Sequence, residues 1–199
     1  MNSSVINKPT WPSPDSLQGR QDVQSMKLVT IEISRWADND RDLAGLRLKN
    51  AAGQTSDILG FQRHNWESFT LRDQPIQSIT VIKKTDDNYT RGFKILYRSG
   101  VTDVINSDAG NEAGTIEFEE HDELVGMTVC TMEDEKRPRK FGFSIMKNST
   151  SEAFQSGFPA PPQGFQYKIH QSVPVGNDYT FVQTWPTPEQ LNGAGGDLS

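Results

Sequence analysis

Three short stretches of the 199-residue chain carry oxygen-rich side chains: Asp38-Asn39-Asp40 with Asp42, Asp86-Asp87-Asn88, and Glu133-Asp134-Glu135. Carboxylates and amides grouped on loops suit Ca²⁺, and they also accept hydrogen bonds from sugar hydroxyls. Sugar recognition adds a flat aromatic to the acceptor carboxylate, and Trp36 with Asp38, or Tyr89 with Asp87, places both in one loop. The candidate binding residues are therefore Trp36, Asp38, Asp40, Asp86, Asp87, Tyr89 and Asp134. No resident cofactor is expected, and Ca²⁺ is the ion that the acidic loops would accept. The competing explanation is local, since Asp and Asn are favoured in turns, where they bond their own backbone, and acidic tips keep sheet edges apart.

Other reactive residue types point away from catalysis. His64, His121 and His170 sit at unrelated places and show no metal-binding spacing, so they read as ordinary surface or turn residues. Cys130 follows Val129, pointing to the opposite strand face, and no neighbour in sequence would activate its thiol. The chain has no G-x-S-x-G elbow and no P-loop. Glu119, Glu120, Asp122 and Glu123 supply carboxylates in number, but adjacent acids ordinarily form a solvated edge rather than the pair across a cleft that glycoside hydrolysis needs. The protein is expected not to be an enzyme.

The elements that must hold these loops recur along the chain. LVTIEI at 28–33, IQSITV at 76–81 and LVGMTV at 124–129 align without gaps at steps of 48 residues. Each passes through an acidic loop into a glycine-led strand, and Gly45-Leu46-Arg47-Leu48, Gly92-Phe93-Lys94-Ile95 and Gly142-Phe143-Ser144-Ile145 line up at spacings of 47 and 50. A further alternating strand follows in each unit: SFTL at 68–71, TIEF at 115–118 and QYKI at 166–169. The period is that of β-structure, with Val29, Ile31 and Ile33 on one face and Thr30 and Glu32 on the other. No segment carries a helical stripe. A small sheet with one apolar face cannot stand alone in water, whereas three can bury those faces around a pseudo-threefold axis. The expected fold is all-β, a β-prism of three antiparallel Greek-key sheets. A β-trefoil is the other fold of this repeat length, but none of the three units shows its Gln-x-Trp signature.

These features resemble the jacalin-related lectins over roughly residues 26–148. The resemblance rests on an I-x-x-I-x-V strand, a short loop, G-Φ-x-Φ with Tyr97-x-x-Gly100 after it, a glycine-rich stretch, and TIEFEEHDELVGM at 115–127. It implies the β-prism and carbohydrate binding. The family's G-x-x-x-D sugar loop is not matched, because the corresponding segment CTMEDEKRPRK, 130–140, has neither the glycine nor the spacing, so no family ligand residue carries over. In the family, N-terminal strands complete the third unit. Here C-terminal strands around 165–170 and 179–184 are expected to do so.

Composition bounds the partners. Twenty Lys and Arg against 26 Asp and Glu give a net charge of −6, which lacks the electrostatic footprint of a nucleic-acid binder. One cysteine excludes an internal disulfide framework. The N-terminus shows no signal-peptide core and no run is long enough to span a membrane, so a cytoplasmic location is expected, with secretion still open. The expected layout is a Pro-rich arm at 1–25, a prism domain at 26–184 and a flexible tail at 185–199. Trp11 and Trp185, flanked by prolines, are candidate anchors into a neighbouring molecule. Two functions remain: a non-catalytic lectin that takes a glycan or glycoprotein on its apical loops, or an assembly module that has lost the sugar and bridges neighbours, as a homo-oligomer or larger assembly, through its arms.

Overall fold

The computed structural model describes residues 5–7, 10–13, 16–17, 22–38, 40–85, 89–132, 135–148, 167–175 and 179–186. Of these, 5–7, 40, 130–132, 135–140, 167–173 and 183–186 are described by their backbone alone. Among the described residues the regular elements are strands and one helical turn, α1 (Val23–Met26), with its N-cap at Asp22.

Three antiparallel sheets form a β-prism. The first has the order β6–β3–β4–β5, built from β3 (Leu28–Ala37), β4 (Asp40–Asn50), β5 (Leu59–Gly60) and β6 (Glu67–Thr70). The second repeats it as β10–β7–β8–β9, with β7 (Ile76–Lys83), β8 (Thr90–Tyr97), β9 (Thr102–Ile105) and β10 (Asn111–Glu117). In the third, β11 (Glu123–Met132) and β12 (Glu135–Asn148) form the central hairpin, flanked by β14 (Tyr179–Pro186) and β13 (Tyr167–Val175) on one side. On its other side β11 pairs with β1 (Val5–Asn7) and β2 (Thr10–Trp11).

The apolar faces meet in one core. Ile31, Ile79 and Met127, which are 48 residues apart, are all buried in the same cluster, as are Leu46, Phe93, Phe141 and Phe143. Phe93 meets Phe141 edge-on, with centroids 5.1 Å apart and rings at 84°. The register slips at the same repeat position in each hairpin, past Val29, Gln77 and Val125. A β-bulge there strengthens the twist of all three hairpins alike.

The glycine alignment holds in two sheets and slides in the third. Ser34 pairs with Gly45 and Ile82 with Gly92, but the matching residue Cys130 pairs with Lys140, and Gly142 lies opposite Thr128. Phe141 therefore takes the place of Leu46 and Phe93. A shift of two residues preserves every side chain's face, so the hydrophobic pattern could not report it.

The third sheet's outer strand also differs from expectation. Phe69 of β6 lies opposite Ile31 and Ile116 of β10 opposite Ile79, and the residue opposite Met127 is Trp11 of β2. Tyr167-Lys168-Ile169 of the QYKI stretch falls instead in β13, at the far edge beyond β14. Trp11, singled out as an anchor for a neighbour, packs partly buried against the chain's own core. Gly126 makes room for it, since a Cβ there would sit 1.9 Å from the Trp11 carbonyl oxygen. Thr10 and Thr128 share a hydroxyl hydrogen bond of 2.7 Å. Leu17 and Val23 then cover the outer face of the third sheet, packing on Val125, Met146, Val175 and Phe181 in a second buried cluster.

One expectation about the acids changes. Asp122, read as part of a solvated edge, is buried, and its Oδ2 accepts from Lys147 Nζ and from the Glu119 amide at 2.7 Å. Lys147 follows Phe141, Phe143 and Ile145 on the inward side of β12 and is buried as well. Elsewhere, Tyr97 of the second sheet is buried with its hydroxyl accepting from the Arg72 amide at 3.1 Å, and burial raises its phenol pKa.

Candidate functional site

The first hairpin positions a cleft of about 520 Å³ whose lining includes Arg35, Asp38, Gln62, Arg63, His64 and Glu67. Arg35 lies near the end of β3, where the register slips again between Ser34 and Arg35, and Asp38 is in the turn beyond. The opposite wall is the 61–66 segment, which reaches the hairpin through Ser34. The fully buried Ser34 hydroxyl accepts from the amides of Arg63 and His64 at 2.9 and 3.0 Å and donates to the His64 carbonyl at 2.9 Å. Replacing Ser34 by alanine strands two amides and a carbonyl. We expect a loss of about 1–3 kcal/mol in denaturant unfolding, with faster amide exchange at Arg63 and His64. Unchanged exchange there would show that the segment is held by something else.

Arg35 spans two sheets. Its Nη2 donates to Glu67 Oε2 at 2.5 Å and its Nε to Asn106 Oδ1 at 3.0 Å. Asn106, just past β9, is buried with a φ of 67°. Its side-chain amide donates to the carbonyls of Arg41 and Arg91 at 2.6 and 2.5 Å, and its own carbonyl accepts from Arg41 Nη1 at 3.3 Å. A residue of the second sheet thus fixes two arginines of the first. On the other wall the Arg63 guanidinium lies over the Trp36 ring, 4.4 Å from its centroid, and His64 Nδ1 is 3.1 Å from Asp38 Oδ1. Further down β3, the Glu32 carboxyl pKa is lowered by its hydrogen bond to Arg47, whose guanidinium lies 4.7 Å over Trp66.

Of the residues expected from the sequence, Asp38 lines this cleft, and Trp36 touches one of its walls through Arg63. Asp38 is almost fully exposed, its side chain retaining 93% of its accessible surface. Asp40 opens β4, with its side chain undescribed. Asp42, grouped with that loop, is fully buried, with Arg91 Nε at 3.3 Å and Lys84 Nζ at 3.9 Å, and so ties the first hairpin to the second. Tyr89 is partly buried, and its carbonyl accepts from the Lys84 amide at 2.9 Å. Asp86, Asp87 and Asp134 lie outside the described residues, as does the side chain of Trp185, whose backbone pairs with Lys168. Among the described residues no group of three or more His, Cys, Asp or Glu side chains converges as a metal site, and no helix is long and apolar enough to cross a membrane.

Sequence reasoning missed Arg35, Gln62, Arg63 and Glu67 and took His64 for an ordinary turn residue. The 61–66 segment is held to the hairpin by contacts about 30 positions apart, the buried Ser34 hydroxyl foremost, and no local pattern announces them.

The architecture is that of a β-prism protein. No family model matches the sequence, and no curated protein matches it. Among solved structures, the chain is similar to a prostate-specific WGA16 glycoprotein lectin, with a TM-score of 0.53 and 10% identity over 80% of this chain and 96% of that one. It is also similar to artocarpin in a mannotriose complex, with a TM-score of 0.44 and 10% identity over 73% of this chain and 98% of that one. The first of these supports the β-prism assignment that the repeats implied.

Proposed function

We propose that the protein is a non-catalytic saccharide-binding protein and that the cleft between the first hairpin and the 61–66 segment is its site. The observation that carries this reading is the cleft itself, about 520 Å³ and polar-walled, with Arg35 and the backbone of 63–64 fixed by buried partners before any ligand arrives. Pre-positioned donors and acceptors cost little ordering on binding, which is what a hydroxyl-rich ligand in water requires. Asp38 supplies the acceptor carboxylate and Gln62 a side-chain amide. The fold shared with a glycoprotein lectin supports the same reading at the level of architecture.

A glycan array tests it. The wild-type chain should bind a subset of glycans, Asp38→Ala and Arg35→Ala should each weaken that binding by about tenfold, and Lys94→Gln, on the second sheet, should leave it unchanged. Silence across the array, with Ca²⁺ present, would remove the proposal.

A further inference from the structure

The charges around the cleft are not evenly paired. Arg35 is answered by Glu67, and His64 faces Asp38. Arg63 has the Trp36 ring and no carboxylate among the described residues, and Arg41 bonds the Asn106 carbonyl and likewise has no carboxylate partner among them. Both residues are exposed. One guanidinium whose donors are unused among the described residues therefore lines the cleft, that of Arg63, and a second, that of Arg41, is joined to the cleft's Arg35 through Asn106, in a chain whose net charge is −6. Each is also held: the Arg63 guanidinium rests over the Trp36 indole, and Arg41 bonds the same Asn106 that accepts from Arg35. A guanidinium presents parallel N–H donors that match two oxygens of one anion, and stacking on an aromatic leaves that edge free to donate.

We infer that the cleft selects saccharides bearing an oxyanion, a uronate carboxylate or a sulfate ester, with Arg63 and Arg41 as the residues that read the charge. The inference rests on the saccharide reading of the same cleft and names its ligand class. Neutral sugar hydroxyls would engage Asp38 and Gln62, and the anionic group would complete the donors that the described residues leave open.

Titrations followed by amide NMR, with Trp36 fluorescence as a second readout, distinguish the cases using three probes: glucose, glucuronic acid and glucose 6-sulfate. We expect one or both charged probes to bind more tightly than glucose and to move the Arg63 and His64 amides. That binding should weaken as ionic strength rises. Arg63→Gln should lower affinity for the charged probe by about tenfold, with Arg41→Gln acting in the same direction. Lys94→Gln should change nothing, and thermal unfolding of each variant confirms that the fold is retained. The two charged arms separate carboxylate from sulfate. Glucose binding at this cleft as tightly as either charged probe would overturn the inference while leaving the saccharide reading intact. If the charged probes fail and the glycan array is silent as well, both readings fall.

Discussion

Lys147→Met is expected to destabilise the protein by about 3–5 kcal/mol, the range for breaking a buried ion pair. The Lys147 side chain is 2% exposed and that of Asp122 0%, so deleting the ammonium leaves a carboxylate buried without its counter-charge. Asp122 Oδ1 has no hydrogen-bond partner among the described residues, so the support they give the carboxylate is Lys147 and the Glu119 amide, both on Oδ2. Met retains most of the length and apolar volume of the lysine stem, so packing is nearly conserved and the cost is electrostatic. The double variant Asp122→Leu with Lys147→Met should regain much of the loss, because the desolvated charge has gone. Chemical denaturation of the two variants checks this. A Lys147→Met protein within about 1 kcal/mol of wild type, below the range for breaking a buried pair, would show that Asp122 reaches water.

Gly92→Ala is expected to cost about 3 kcal/mol, at the upper end for overpacking. A Cβ at Gly92 would lie 2.3 Å from the carbonyl oxygens of both Ile105 and Ser107. Those atoms belong to the backbone of β9 and the residues just beyond it, so no side-chain rotation relieves the clash. The strand must move away from β8, and Asn106, between the two carbonyls, moves with it. The variant should therefore also loosen Arg35 and Arg41 at the cleft, seen as faster amide exchange around residues 35 and 41. Gly45 has the repeat-equivalent role, with a Cβ meeting the Phe61 carbonyl oxygen at 2.5 Å. A Gly92→Ala protein of unchanged stability would show that β8 and β9 are not this closely apposed.

The repeats announced these glycines, and the structure gives their reason. Glycine before an apolar residue at 45 and 92 marks where the chain at the ends of β5 and β9 passes close to β4 and β8. At 142 the same dipeptide has slid two positions and lies opposite Thr128. The buried lysine was also legible in part. Lys147 continues the inward alternation of Phe141, Phe143 and Ile145, and a charge at an inward position requires a partner. The sequence did not say that the partner was Asp122, because that pairing joins a turn before β11 to the far end of β12.

Sequence alone determined the β class, the three units, the hairpins and the inward faces, because these follow from alternation and a fixed repeat, both properties of neighbouring residues. Tertiary structure decided which strand joins which edge, the register of the third hairpin and the second wall of the cleft. Strand alternation specifies a face but not a neighbour, so QYKI and Thr10-Trp11 could compete for one position until the space over Gly126 and the pairing of β14 with β12 settled it. The site followed the same logic: Trp36 and Asp38 are two positions apart in the chain and could be read there, whereas Arg63 reaches the cleft, and Asn106 reaches Arg35, only through contacts that long-range folding creates.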